Sequence, residues 1–101
     1  MDYVKISIYI SEADKWQHHP LYMALLTLLH DNKISGGTVM HGVAGFSNKG
    51  LINSALFVDA GVTLPLVLQF VDTIKKVEAV LPKVKEMVGD NLVIREPVNV
   101  V

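Results

Sequence analysis

From Tyr3 to Ile10 apolar and polar positions alternate strictly, with Val4, Ile6, Ile8 and Ile10 on one face and Tyr3, Lys5, Ser7 and Tyr9 on the other. That period, filled with β-branched residues, predicts a strand. A polar stretch runs from Ser11 to His19. Leu21, Ala24, Leu25, Leu28 and Leu29 then recur at helical spacing, with Met23, Thr27 and His30 on the far side. Pro20 suits the first turn of this helix, which is expected from about Pro20 to Asp31 and to stop before Gly36-Gly37.

Thr38 to Ala44 reads as a second strand whose core face is open, because Val39 and Val43 flank His41 while Met40 and Ala44 flank Gly42. The loop Gly45-Phe46-Ser47-Asn48-Lys49-Gly50 follows, and the apolar piece Ala55 to Val58 extends a strand-loop-strand arm over about 45–58. Leu64 to Val71 is apolar on both faces except at Gln69, the pattern of a central strand. Asp72 or Thr73 can cap a second helix with Ile74, Val77, Leu81, Val84 and Val88 as its buried stripe. Lys75, Lys76, Lys83, Lys85 and Glu86 face water, Pro82 is expected to kink the helix, and Gly89 to stop it. Leu92 to Arg95 forms a last strand, with Val98 to Val101 as a further edge.

A β-α-β unit, an arm and a second β-α-β unit, each with a right-handed crossover, fold most simply into a ferredoxin-like βαββαβ sandwich. The expected class is α+β, a single domain over 1–101, with an antiparallel sheet and both helices on one of its faces. The other face is left bare and collects either Tyr3, Tyr9, Val67 and Val71 or Leu66 and Phe70. An apolar patch of that kind calls for cover, so a closed homo-oligomer is expected.

Composition narrows the function only by exclusion. Half of the 101 residues are hydrophobic and 19% are charged, which fits a packed domain and not a disordered chain. Nine Lys and Arg against ten Asp and Glu leave no basic excess for a phosphate backbone, so no nucleic-acid partner is expected. There is no cysteine, hence no disulfide, thiolate cluster or thiol nucleophile. The start of the chain lacks a signal-peptide pattern, and the longest apolar runs fall far short of the roughly 20 residues that span a bilayer. A cytoplasmic protein with no direct membrane insertion is expected.

The candidate chemistry is sparse. Trp16 either stacks on a ring or caps the core, and His18 and His19 either meet a phosphate near a helix start or belong to a solvated turn. The four His include no H-x-x-x-H spacing, so no preformed tetrahedral metal site is signalled. No nucleophile elbow, P-loop or dinucleotide fingerprint occurs. Glu12 and Asp14 form a carboxylate pair in an exposed turn, where burial should shift neither pKa. No catalytic residue is therefore assigned, and the chain is expected not to be an enzyme. The glycines of Gly42 to Gly50 allow backbone N–H groups to approach an anion, with Lys49 adding charge, although a hairpin tip has the same composition. Arg95, the one arginine, is either an intersubunit ion-pair partner or a phosphate ligand.

Taken together, Ile8-Tyr9-Ile10-Ser11-Glu12-Ala13-Asp14-Lys15-Trp16 and Pro20-Leu21-Tyr22 resemble the opening signature of the PII-like family known as domain of unknown function 190. The resemblance continues through Gly36-Gly37-Thr38-Val39, His41-Gly42-Val43-Ala44-Gly45-Phe46, Leu64-Pro65-Leu66-Val67 and Val71-Asp72, and so covers nearly the whole chain. It implies a ferredoxin-like homotrimer akin to nitrogen-regulatory PII proteins. In those relatives the loop between the second and third strands touches target proteins, and an adenine nucleotide sits between subunits at the base of that loop. By position, Gly45, Phe46 and Ser47 match the loop-base motif usually read Gly-Phe-Gly, and Asn53 and Ser54 fall where the family often has His-Thr.

The chain departs from the family at several cationic positions. Ser47 replaces the second motif glycine, and His41 and Leu51 stand where Arg is frequent. The strand-end glycine-lysine loop of true PII proteins is reduced to Gly89-Asp90-Asn91. Few cations favour a low-charge ligand such as AMP or ADP. The resemblance thus implies a signalling protein that needs no cofactor, takes an adenine nucleotide as effector through Gly45, Phe46, Ser47, Lys49, Asn53, Ser54 and Arg95, and presents its arm to a protein partner, by family analogy a membrane transporter. Two alternatives stand beside it: a ligand-free trimeric scaffold, and a small trimer that binds a divalent metal through His18, His19 or His41.

Overall fold

A computed structural model describes residues 2–46 and 63–101, together with the backbone of 53–54. The main sheet has four strands, β1 (Tyr3–Ser11), β4 (Gly37–His41), β7 (Pro65–Thr73) and β8 (Val93–Val98). They lie in the spatial order β4-β7-β1-β8, every pair antiparallel. Helix α1 (Leu21–Asp31) links β1 to β4, and α2 (Ile74–Val88) links β7 to β8. The chain is an α+β fold of ferredoxin-like order. Three short pieces complete it, a hairpin β2 (Lys15–Trp16) with β3 (His19–Pro20) and a ladder β5 (Ala44–Gly45) with β6 (Asn53–Ser54).

The alternation read along the sequence decides which residues are buried. Val4, Ile6, Ile8 and Ile10 of β1 and Leu66, Leu68 and Phe70 of β7 are removed from water on the helix side. Leu21, Leu25 and Leu29 of α1 and Val77, Val80, Val84, Met87 and Val88 of α2 close over them. Full burial of each such side chain contributes about 1.5–3 kcal/mol. Register settles the open question of β4: Val39 pairs with Leu68 and His41 with Leu66, so both share the helix-side face, while Thr38 and Met40 share the other.

The bare face therefore carries Tyr3, Lys5, Ser7 and Tyr9 of β1 with Val67, Gln69 and Val71 of β7, and not Leu66 and Phe70. Tyr9, Val67 and Met40 form one row across three strands. Its polar members are paired within the face. Gln69 Nε2 donates to Ser7 Oγ at 3.2 Å, and Lys5 meets Glu96 at 3.3 Å.

Several boundaries differ from the pattern reading. Helix α1 starts at Leu21, with Pro20 as its N-cap and Leu21 N–H donating to the Asp14 carbonyl. The second strand ends at His41, and Ala44 belongs to a separate ladder. The last strand extends to Val98, and no strand covers 99–101. α2 runs on through Pro82, which is exposed, and Thr73 is its cap, its hydroxyl accepting from Lys76 N–H. The Ala55 to Val58 segment lies outside the described residues.

Candidate functional site

The base of the arm is where the predicted site residues and the ordered scaffold meet. The chain leaves the sheet after His41 and re-enters it at Pro65, and Gly42 N–H donates to the Pro65 carbonyl at 2.8 Å. Next, Ala44 pairs with Ser54 and Gly45 with Asn53, so three residues of the expected site share one ladder. The glycines here have a packing reason. A Cβ on Gly42 would stand 2.9 Å from Pro65 Cγ, and one on Gly45 3.1 Å from the same atom. Only a bare backbone lets both segments close on that proline ring.

Phe46 follows with its ring 75% exposed, and Val43 is exposed beside it in sequence. Ser47 and Lys49 lie outside the described residues, as do the side chains of Asn53 and Ser54. Arg95 occupies β8, the sheet edge opposite β4, where its Nη1 donates to Glu78 Oε2 of α2 at 3.4 Å. Within one chain Arg95 is therefore not brought beside Gly45 and Phe46.

Glu12 is the residue that pattern reading undervalued. It lies just past the end of β1, and both of its carboxylate oxygens are engaged. Oε1 accepts the Leu64 N–H at 2.8 Å, and Oε2 lies 3.1 Å from His41 Nε2. Its own N–H donates to the Leu64 carbonyl at 3.2 Å, and Ser11 Oγ lies 3.3 Å from Thr63 Oγ1. One residue thus ties the outgoing strand end to the returning one.

This also corrects the expectation that an exposed turn leaves the Glu12 pKa alone. The Leu64 N–H and then the His41 hydrogen bond hold the carboxyl below the usual carboxylate range, against a smaller upward push from burial and with the charge of His41 assisting. The shift comes from donors and not from the medium. No local signal marks it, because the partners are 52 and 29 residues away along the chain.

The remaining candidates have structural placements. Trp16 packs against the core, and the Lys83 ammonium stands 5.1 Å from its ring centroid, so the ring caps the core instead of waiting for a ligand. His18 and His19 are exposed on the β2–β3 hairpin, and His30 Nδ1 lies 3.3 Å from Asp31. Among the described residues no three His, Asp or Glu side chains converge as a metal cluster, and no helix is long and apolar enough to cross a membrane.

The family match and the sequence relative agree with the resemblance to domain of unknown function 190. UPF0166 protein MJ1524 of Methanocaldococcus jannaschii is 32% identical over 86 residues, which is 85% of this chain and 79% of that protein. Among solved structures, the de novo designed protein Foldit4 aligns over 99% of this chain and 98% of its own at a TM-score of 0.48 and 12% identity. Residues 3–100 match the family DUF190, described as "Uncharacterized ACR". The match takes in both β-α-β halves and the arm between them, and the chain belongs to the DUF190 family.

Proposed function

We propose that this chain is a non-enzymatic PII-like regulatory protein, a cytoplasmic homotrimer that takes an adenine nucleotide at the base of its arm and presents the arm to a protein partner. The observation that carries this reading is the clasped arm base. A rigid sheet edge holds both ends of the segment 42–64 through Glu12, Gly42 and Pro65, while Phe46 stands exposed immediately beyond. An exposed ring next to glycine backbone suits stacking of a flat heterocycle. Lys49 is the nearby cation in sequence. A ligand seated there orders the arm and shifts it between partner-competent and incompetent states.

Arg95 contributes to such a site only from a neighbouring subunit, since its own chain holds it on the far sheet edge. On this reading the ligand lies between subunits. The Arg95–Glu78 contact also gives the scaffold reading its one specific support, because the guanidinium already has a carboxylate.

The test is a thermal-shift series with AMP, ADP, ATP, cyclic nucleotides, bicarbonate and divalent metals, run beside light scattering. Ligand at a hundredfold excess over its Kd stabilises the folded state by about 2.7 kcal/mol, several degrees for a domain this size. A selective rise with one adenine nucleotide on a trimer is the expected result. A trimer indifferent to every nucleotide supports the scaffold, and a rise confined to a metal supports the metal-binding alternative.

A further inference from the structure

The contact that closes the arm base joins a carboxylate to a histidine, and histidine is the side chain whose charge changes in the physiological pH range. A carboxylate only accepts hydrogen bonds, so His41 Nε2 must donate across the 3.1 Å to Glu12 Oε2. The neutral ring can do this in one tautomer, with the carboxylate charge alone assisting, and the imidazolium adds the attraction of two opposite charges. The His41 side chain is 61% exposed and that of Glu12 34%, so water and protons reach both.

We propose that Glu12 and His41 form a proton-controlled clasp across the two ends of the arm, drawn tight when the ring is protonated and loosened when it is neutral. The idea deepens the preceding reading by naming how the arm base is regulated, and it matters to function only if the arm is what a partner sees. Glu12 transmits the change because its second oxygen holds the Leu64 N–H, so one proton on β4 is felt where the chain re-enters β7.

Few other charges face the pair. Asp14 lies in the same turn with Oδ2 accepting the Ser11 N–H at 2.9 Å, and Lys15 follows, exposed, on β2. Thr63, Leu64 and Pro65 bring no titratable group, nor do residues 44–45 and 53–54, and Lys49 and Asp59 of the arm lie outside the described residues. The hydrogen bond from Leu64 keeps Glu12 ionised to lower pH than an ordinary glutamate. The clasp therefore tightens when the ring takes a proton and lets go only when Glu12 itself takes one.

Amide hydrogen exchange read by NMR on the ligand-free protein tests this, with each rate divided by its intrinsic value. Protection at Leu64 is expected to be up to about fivefold greater near pH 5 than near pH 8, the upper end of what a solvent-exposed ion pair contributes. Phe70, deep in the sheet, should show no such trend. His41→Gln, which keeps a neutral donor, and Glu12→Gln should both flatten the profile at Leu64. A wild-type profile that is already flat, or a slope that survives in His41→Gln, overturns the clasp. No nucleotide or partner enters the experiment, so it can fail while the sensor reading stands, and a null nucleotide series leaves it intact.

Discussion

Asp72 ends β7 with its side chain only 4% exposed, and three donors meet it there. Ser35 supplies both its N–H and its hydroxyl at 2.9 Å, Thr73 supplies its N–H at 2.7 Å, and the Lys76 ammonium stands 3.8 Å away. Burial alone pushes this carboxyl up, but the donors outweigh it and the net displacement is downward. Stability linked to a lowered carboxyl is fully present above the unfolded-state value and disappears as pH falls through the folded one. Asp72→Asn, which puts an amide among donors, should therefore cost about 2 kcal/mol near pH 7 and progressively less in acid. Urea unfolding at neutral pH and again near pH 3 measures both, and an equal loss at the two values would mean that shape and not charge is at stake. The sequence offered Asp72 or Thr73 as the cap of α2, and the structure gives that role to Thr73. The tie of Asp72 to Ser35, 37 residues back, belongs to the tertiary fold and leaves no local trace.

At the scale of elements, the strands and helices were legible because each is written in one clear period, and the punctuation between them was not. The stretch from Ser11 to His19 reads as a solvated connection, yet it forms a hairpin whose two turn residues, Gln17 and His18, have φ of 49° and 70°. Such a turn is usually announced by Asn-Gly, and Gln-His hides it. The end of α1 at Asp31 meets the expectation, but the turn that makes it is hidden in the same way. Lys33 at φ 63° occupies the left-handed position, Ile34 N–H reaches the Leu29 carbonyl and Lys33 N–H that of His30, and so the helix stops before Gly36-Gly37 has any say. Both turns hold side chains where a smaller residue rests more easily. Replacing Gln17-His18 with Asn-Gly should raise stability by about 1 kcal/mol, a gain of several degrees in Tm. A lower Tm would show that one of these side chains holds something the turn needs.

For the molecule as a whole, the sheet face away from the helices has no covering element among the described residues. Tyr9, Val67 and Met40 cross it in a row, and Tyr9 and Met40 are 39% and 45% exposed. If the proposed trimer exists and closes over this face, Tyr9→Glu should place three like charges near one another and shift the mass by light scattering to that of a monomer, with an unchanged far-ultraviolet circular dichroism spectrum. An unchanged mass would move the subunit contact elsewhere. The fold class and the existence of a bare face followed from the order of the elements, while the residues on that face stayed open between two sets until burial of Leu66 and Phe70 decided it. The clasp at the arm base did not follow in this way, since it joins residues that only the closed sheet brings together. The position of β1 between β7 and β8 carries one more consequence, for synthesis of the protein. β1 is made before both of its sheet neighbours, β7 and β8, so its apolar side must be shielded by other means until residues 65–98 have emerged. A premature stop anywhere before Val93 thus leaves β1 with at least one edge unpaired, a species for proteases and chaperones and not a smaller working domain.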